Sequence, residues 1–133
     1  MLGAGLRRQV DPRAMENYLM PHDSPGKRAG IAAFAKLIPN HSKHPNASYI
    51  DEIRQHLQTW DLPVLVISAD GDMAWKPDEG ERIAAIVPDG EFYLVKNAGH
   101  YLQEDAGQEV GQRILQFVDQ LAINNKSKKQ AIA

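Results

Sequence analysis

Apolar and polar positions alternate with a helical period over residues 11–59 and then change character. Asp11-Pro12 reads as a helix start, with Asp11 as N-cap and Pro12 at the first helical position. Pro21 disfavours helical geometry at Met20, so this helix is expected to end near Leu19. Ser24-Pro25 repeats the start signal. Over Gly30–Ile38, Ile31, Phe34, Leu37 and Ile38 share one helical face, and Pro39 closes the run. Residues 39–47 are a polar turn region. Ser48 and Asp51 form a plausible cap pair for a helix to about Thr59, with Ile50, Ile53 and Leu57 on its apolar face.

From residue 62 the pattern is strand, helix, strand, helix. Leu62–Ser68 is a continuous apolar run rich in β-branched residues, the mark of a strand buried on both faces, with Pro63 tolerable only at its start. Ala69–Lys76 is a loop. Pro77-Asp78-Glu79 opens a helix with acidic residues where the helix dipole favours them. That helix carries Ile83, Ala84, Ile86 and Val87 and is broken by Pro88-Asp89-Gly90. A second strand spans Phe92–Val95. Val110, Ile114, Leu115, Phe117, Val118 and Leu121 mark a long amphipathic helix. Asn124–Gln130 is expected to be a disordered polar tail. The order predicts an α/β class with a parallel, right-handed crossover. A parallel pair alone is too small a sheet, so its open edge is expected to take further strands or another chain.

Composition excludes more than it selects. The chain has 133 residues, 43% hydrophobic and 24% charged, ordinary values for a soluble domain. A net charge of −2 gives no field for nucleic acid or anionic lipid, and Lys126, Lys128 and Lys129 are too short a footprint for nucleic acid. No apolar run reaches membrane-spanning length. In Met1–Arg8 the basic pair follows the apolar stretch, the wrong order for a secretory leader. Without cysteine there is no disulfide or thiolate chemistry, which suits a reducing compartment and a cytoplasmic location. His41, His44 and His56 lack the spacing and the acidic third ligand of a metal site, so no metal site is expected.

The candidate chemistry sits in two loops. His100 follows the second strand and Asp72 follows the first, and parallel neighbours bring such loops to one end of a sheet. A carboxylate there can hold one imidazole nitrogen and stabilise the imidazolium when the other takes a proton. Asp70 is the alternative acid. Asp72 is favoured because it lies further beyond the strand, and Gly99 permits close backbone approach beside His100.

The stretch Ala98-Gly99-His100-Tyr101-Leu102-Gln103-Glu104-Asp105, with an acidic loop upstream, resembles the histidine loop of α/β-hydrolases, and most closely that of haloalkane dehalogenases. Tyr18-x-x-Pro21 and the passage to Leu37 are similar to that family's cap-to-core segment. The resemblance implies the C-terminal part of an α/β-hydrolase fold: two parallel strands with flanking helices, preceded by the end of a helical cap. Residues 1–41 would be the end of the cap and its passage to the core, 42–122 the C-terminal part of the core, and 123–133 a polar tail. It makes Asp72 the triad acid and His100 the general base. It lines the pocket for a small apolar substrate with Phe34, Ile38 and Trp75; plain core packing is the alternative for Phe34, and a loop or interface role for Trp75. In that family an aspartate displaces halide, and the histidine activates the water that hydrolyses the alkyl ester, with no cofactor. No Gly-x-[Ser/Asp]-x-Gly nucleophile elbow occurs in the sequence, and neither Ser24 nor Ser68 sits in such a turn. The expectation is therefore acid and base without nucleophile, an isolated chain that is inactive, and pairing with a missing half or a second copy through the open edge. The alternatives are a related hydrolase acting on epoxides or esters, and a non-enzymatic interaction module.

Overall fold

The computed structural model describes residues 5–132, with side chains to Asn124. The Met1–Ala4 part of the segment weighed as a leader lies outside it. The described chain divides into two compact units. One is Val10–Asp61; the other joins the residues up to Gln9 to those from Leu62 onward. The expected boundary at residue 41 falls in the turn between helices α2 and α3 of the first unit.

That first unit is helical. Helix α1, Pro12–Leu19, starts as its sequence predicts: the Asp11 carboxylate accepts the Arg13 N–H at 2.7 Å. A 3-10 turn, Met20–His22, follows. Ser24-Pro25 does not cap a helix. Residues 24–28 form a turn in which the Arg28 N–H points to the Ser24 and Pro25 carbonyls, and α2, Ala29–Ala35, begins only after it, without a side-chain cap. Ile38 thus falls beyond α2. Helix α3 spans Ala47–Gln58, so Ser48 lies inside it and Asn46 is the N-cap residue. The Asn46 side chain instead donates to the Leu37 carbonyl at 2.8 Å, tying the two helix ends together. His44 adds a second tie, with Nδ1 accepting the Asn46 N–H and Nε2 facing the Lys36 carbonyl, both at 3.0 Å. No residue of α1, α2 or α3 is buried.

The second unit is the predicted strand–helix–strand–helix. Strand β1, Leu65–Ala69, pairs in parallel with β2, Glu91–Val95, in the register Leu65 with Glu91 through Ala69 with Val95. Helix α4, Pro77–Ile86, connects them, with Asp78 and Glu79 in its first turn and both paired with Arg82. Ala69, Val95, Ala98 and Ala106 form the buried core, with Ile67, Tyr93, Leu102 and Val110 packed around it. The odd-numbered positions of both strands therefore face the short helix α5, Leu102–Asp105, and α6, Gly107–Ile132. The other face carries α4. There Gly80 comes so close to the sheet that a Cβ would stand 2.1 Å from the Ser68 hydroxyl and 3.0 Å from the Phe92 ring.

Two further expectations are corrected. β1 is not buried along its length: Leu65, Val66 and Ile67 are half-buried, and only Ser68 and Ala69 are covered. The flanking helices shield the carboxyl ends of the strands, where the functional loops leave, more fully than the amino ends. The tail is not disordered either. α6 runs on through residues 124–130 to Ile132, since Lys, Gln and Ala all favour a helix already nucleated. Ile114, Leu115, Val118 and Ile123 on α6 are exposed.

Candidate active site

Both candidate loops leave the carboxyl ends of β1 and β2. Backbone hydrogen bonds carry the pairing past the strands: Asp70 N–H to the Val95 carbonyl at 3.0 Å and Gly71 N–H to the Ala98 carbonyl at 2.9 Å. Gly71 is required at this approach, because a Cβ would stand 2.7 Å from that Ala98 oxygen. Asn97, at φ 53°, turns the chain out of β2 in the left-handed region that asparagine tolerates.

The structure brings Asp72 and His100 together. His100 Nδ1 lies 3.0 Å from Asp72 Oδ1 and 2.9 Å from Oδ2. Asp72 Oδ1 also accepts the N–H groups of Ala74, at 2.8 Å, and Trp75, at 2.9 Å. The carboxylate is thus held by its own loop before it meets the imidazole. Its side chain is 8% exposed, whereas that of His100 is 47% exposed. Burial raises the Asp72 pKa, but the Trp75 amide, the His100 ring and the Ala74 amide together outweigh it and hold the group below its ordinary 3.8. At neutral pH Asp72 is an anion. With Nδ1–H donated to it, Nε2 keeps the lone pair that can take a proton. The Tyr101 ring stands edge-on to His100, with centroids 5.2 Å apart. Asp70, the alternative acid, is exposed and makes its backbone bond to β2.

A second carboxylate in this loop carries more than the sequence reading assigned to it. Asp105 is buried, 5% exposed, and accepts three backbone N–H groups: Gly99 at 2.7 Å and Arg7 at 2.9 Å on Oδ2, and Arg8 at 2.8 Å on Oδ1. Burial raises its pKa, but the amides of Arg7, Gly99 and Arg8 and the Arg8 charge bring it below 3.8. The Arg8 guanidinium bonds the Lys96 and Asn97 carbonyls at 3.1 Å each. Residues 5–8 are therefore fastened to the histidine loop. The usable signal was the short spacing from Gly99 to Asp105 within one loop; nothing local could point to residues 7 and 8.

Trp75 lies in the acid loop, half exposed, three residues from Asp72. Phe34 is on α2 of the helical unit and Ile38 three residues past its end, both exposed. Among the described residues no group of three or more His, Cys, Asp or Glu is placed to hold a metal, and no helix is long and apolar enough to cross a membrane.

No family model matches the chain. A haloalkane dehalogenase of Mycobacterium marinum is 28% identical over 118 residues, which cover 88% of this chain and 40% of that protein. Another, of Psychrobacter cryohalolentis, is 25% identical over 119 residues, covering 86% of this chain and 39% of the relative. The chain thus spans about two fifths of the length of the curated relatives it matches. Among solved structures, a thermophilic esterase from Thermogutta terrifontis aligns with a TM-score of 0.50 at 20% identity, over 86% of this chain and 53% of that one, a likeness of fold. Sequence and architecture agree: the chain is built as the C-terminal portion of an α/β-hydrolase.

Proposed function

We propose that this chain supplies the acid and the base of a haloalkane dehalogenase-like active site, with Asp72 as orienting acid and His100 as general base. The observation that carries the reading is the contact of His100 Nδ1 with both Asp72 oxygens at the carboxyl ends of two parallel strands. The substrate class comes from relatives that are named haloalkane dehalogenase. In the reaction a carboxylate nucleophile, for which this sequence has no elbow, attacks the halogen-bearing carbon. A C–O bond forms, the C–halogen bond breaks, and halide leaves with the electron pair. A water then adds to the carbonyl carbon of the resulting ester and gives its proton to His100 Nε2. The imidazolium is stabilised by the Asp72 anion. Collapse of the tetrahedral species expels the alkoxide, which takes the proton back and leaves as alcohol. Trp75, in the acid loop beside Asp72, is a proposed apolar lining residue, and the open edge of the sheet takes the strands of the remaining part. The cysteine-free chain suits the cytoplasm.

The test replaces the matching two fifths of the M. marinum enzyme with this chain. Steady release of halide from a haloalkane by the chimera, cut by His100→Ala to a single burst of about one halide per enzyme, supports the reading. A folded chimera that hydrolyses esters but no haloalkane overturns the substrate class. The isolated chain is expected to release none.

A further inference from the structure

We infer that Asp105 is a positioning residue for His100, acting through the segment Gly5–Arg8. Gly5 lies directly against the histidine: a Cβ on it would stand 2.8 Å from the Tyr101 ring and 3.3 Å from the His100 Cβ. The Gly5 carbonyl accepts the Tyr101 N–H at 3.3 Å, on one side of His100. On the other side, a Cβ on Gly99 would meet that same carbonyl oxygen at 2.2 Å. Gly5 thus forms one wall of the seat in which the His100 backbone rests. Asp105 fastens that wall by receiving the Arg7 and Arg8 amides that follow it, and the Arg8 guanidinium adds its bonds to the Lys96 and Asn97 carbonyls.

The third bond of Asp105 is to the Gly99 amide, adjacent to His100. One buried carboxylate therefore joins the wall to the loop it supports. Bonds from N–H groups to an anion are about twice as strong as neutral ones, and three of them converge on this group. If the carboxylate loses its charge, or an N–H group replaces one of its acceptor atoms, the wall and the loop separate. His100 then no longer stands where Nδ1 meets both oxygens of Asp72. The link runs through backbone alone and needs no contact between Asp105 and the imidazole. The inference rests on His100 being the base only for its catalytic consequence; the positioning itself is independent of it.

The experiment uses the full chain, labelled with 15N, and reads hydrogen exchange at the Arg7, Arg8 and Gly99 amides and at the His100 Nδ1–H, beside a thermal melt. In the unaltered chain the three amides are expected to exchange slowly and together. Asp105→Asn is expected to keep the fold by circular dichroism, to speed exchange at the three amides by roughly tenfold or more, and to broaden or lose the His100 Nδ1–H resonance. Asp72→Asn, which leaves the clamp intact, should alter that resonance while the three amides stay protected. A purely structural Asp105 predicts a lower melting temperature with an unchanged His100 resonance, and that result overturns the proposal. Should Asp105→Asn fail to fold, the unaltered chain decides: independent or unprotected exchange at Arg7, Arg8 and Gly99 refutes the clamp. If Asp105→Asn moves the His100 resonance while the chimera releases no halide, the positioning stands and the dehalogenase reading falls.

Discussion

Gly99→Ala probes the closest backbone approach in the site. A Cβ at this position would lie 2.2 Å from the Gly5 carbonyl oxygen and 3.0 Å from its carbon. Both are backbone atoms, so no side chain can swing aside. Gly5 must retreat by about 1 Å, the scale of overpacking that costs about 1–3 kcal/mol. The retreat also strains the Gly99 N–H bond to Asp105, and a bond to a charged group adds about 1.5–3 kcal/mol if it breaks. With both effects the expected total is roughly 2.5–6 kcal/mol, a large share of the ~5–15 kcal/mol that holds a domain folded. Chemical denaturation followed by circular dichroism, with unchanged slope, is the assay. The control is Gly111→Ala on α6, where a Cβ meets nothing within 4 Å. Relief of glycine's helix penalty should stabilise that variant by about 0.5–1 kcal/mol. If Gly99→Ala is as stable as the parent while Gly111→Ala behaves as expected, the close approach of residues 5–8 to the histidine loop is refuted.

Asp72 and Asp105 both have folded pKa values below 3.8, so near and below that pH the unfolded chain binds more protons. Their contribution is complete above 3.8 and is lost as pH falls through the lower folded values; acid melts of Asp105→Asn should accordingly show a weaker loss of stability below about pH 4 than the parent. In the chimera, Asp72→Asn should cut turnover by orders of magnitude, on the order of 10⁴-fold by analogy with other triads, through loss of the anion that orients and stabilises the imidazolium; a change of less than tenfold argues against Asp72 as the acid. Trp75→Ala should change fold stability by under about 0.5 kcal/mol, since the ring is half exposed, while raising KM for haloalkane in the chimera. Asn46→Ala should loosen the turn between α2 and α3 by about 1 kcal/mol, seen as faster amide exchange at residues 37–47, because its side chain donates to the Leu37 carbonyl.

The sheet and its loops were legible because local rules govern them. The β-branched run ending at residues 65–69, the aromatic and aliphatic run at 91–95, the Pro77 helix start and the Asp11 cap all act within a few residues, and the structure places each close to its expected position. The pairing of Asp72 with His100 followed from topology, since loops after adjacent parallel strands share one end of a sheet. The failures have equally physical causes. Ser24-Pro25 carries a helix-start spelling, yet the backbone satisfies itself in a turn and the helix waits until Ala29. Residues 62–64 continue the apolar run, but the paired register starts at Leu65 with Glu91, and Val64 reaches β2 through its carbonyl, which accepts the Glu91 N–H at 2.9 Å. The polar stretch after Asn124 carries no apolar stripe, but extending a helix already begun requires none. The clamp on residues 7 and 8 joins positions that lie 97 and 98 residues from Asp105, a separation at which no local pattern speaks.

The most direct measurement is halide release over time by the chimera, with and without His100→Ala. Halide displacement needs no base, whereas hydrolysis of the ester does. The account predicts steady turnover with His100, and with alanine a single burst of about one halide per enzyme, leaving an alkylated protein visible by mass spectrometry. Continued multiple turnover by the His100→Ala chimera would contradict it.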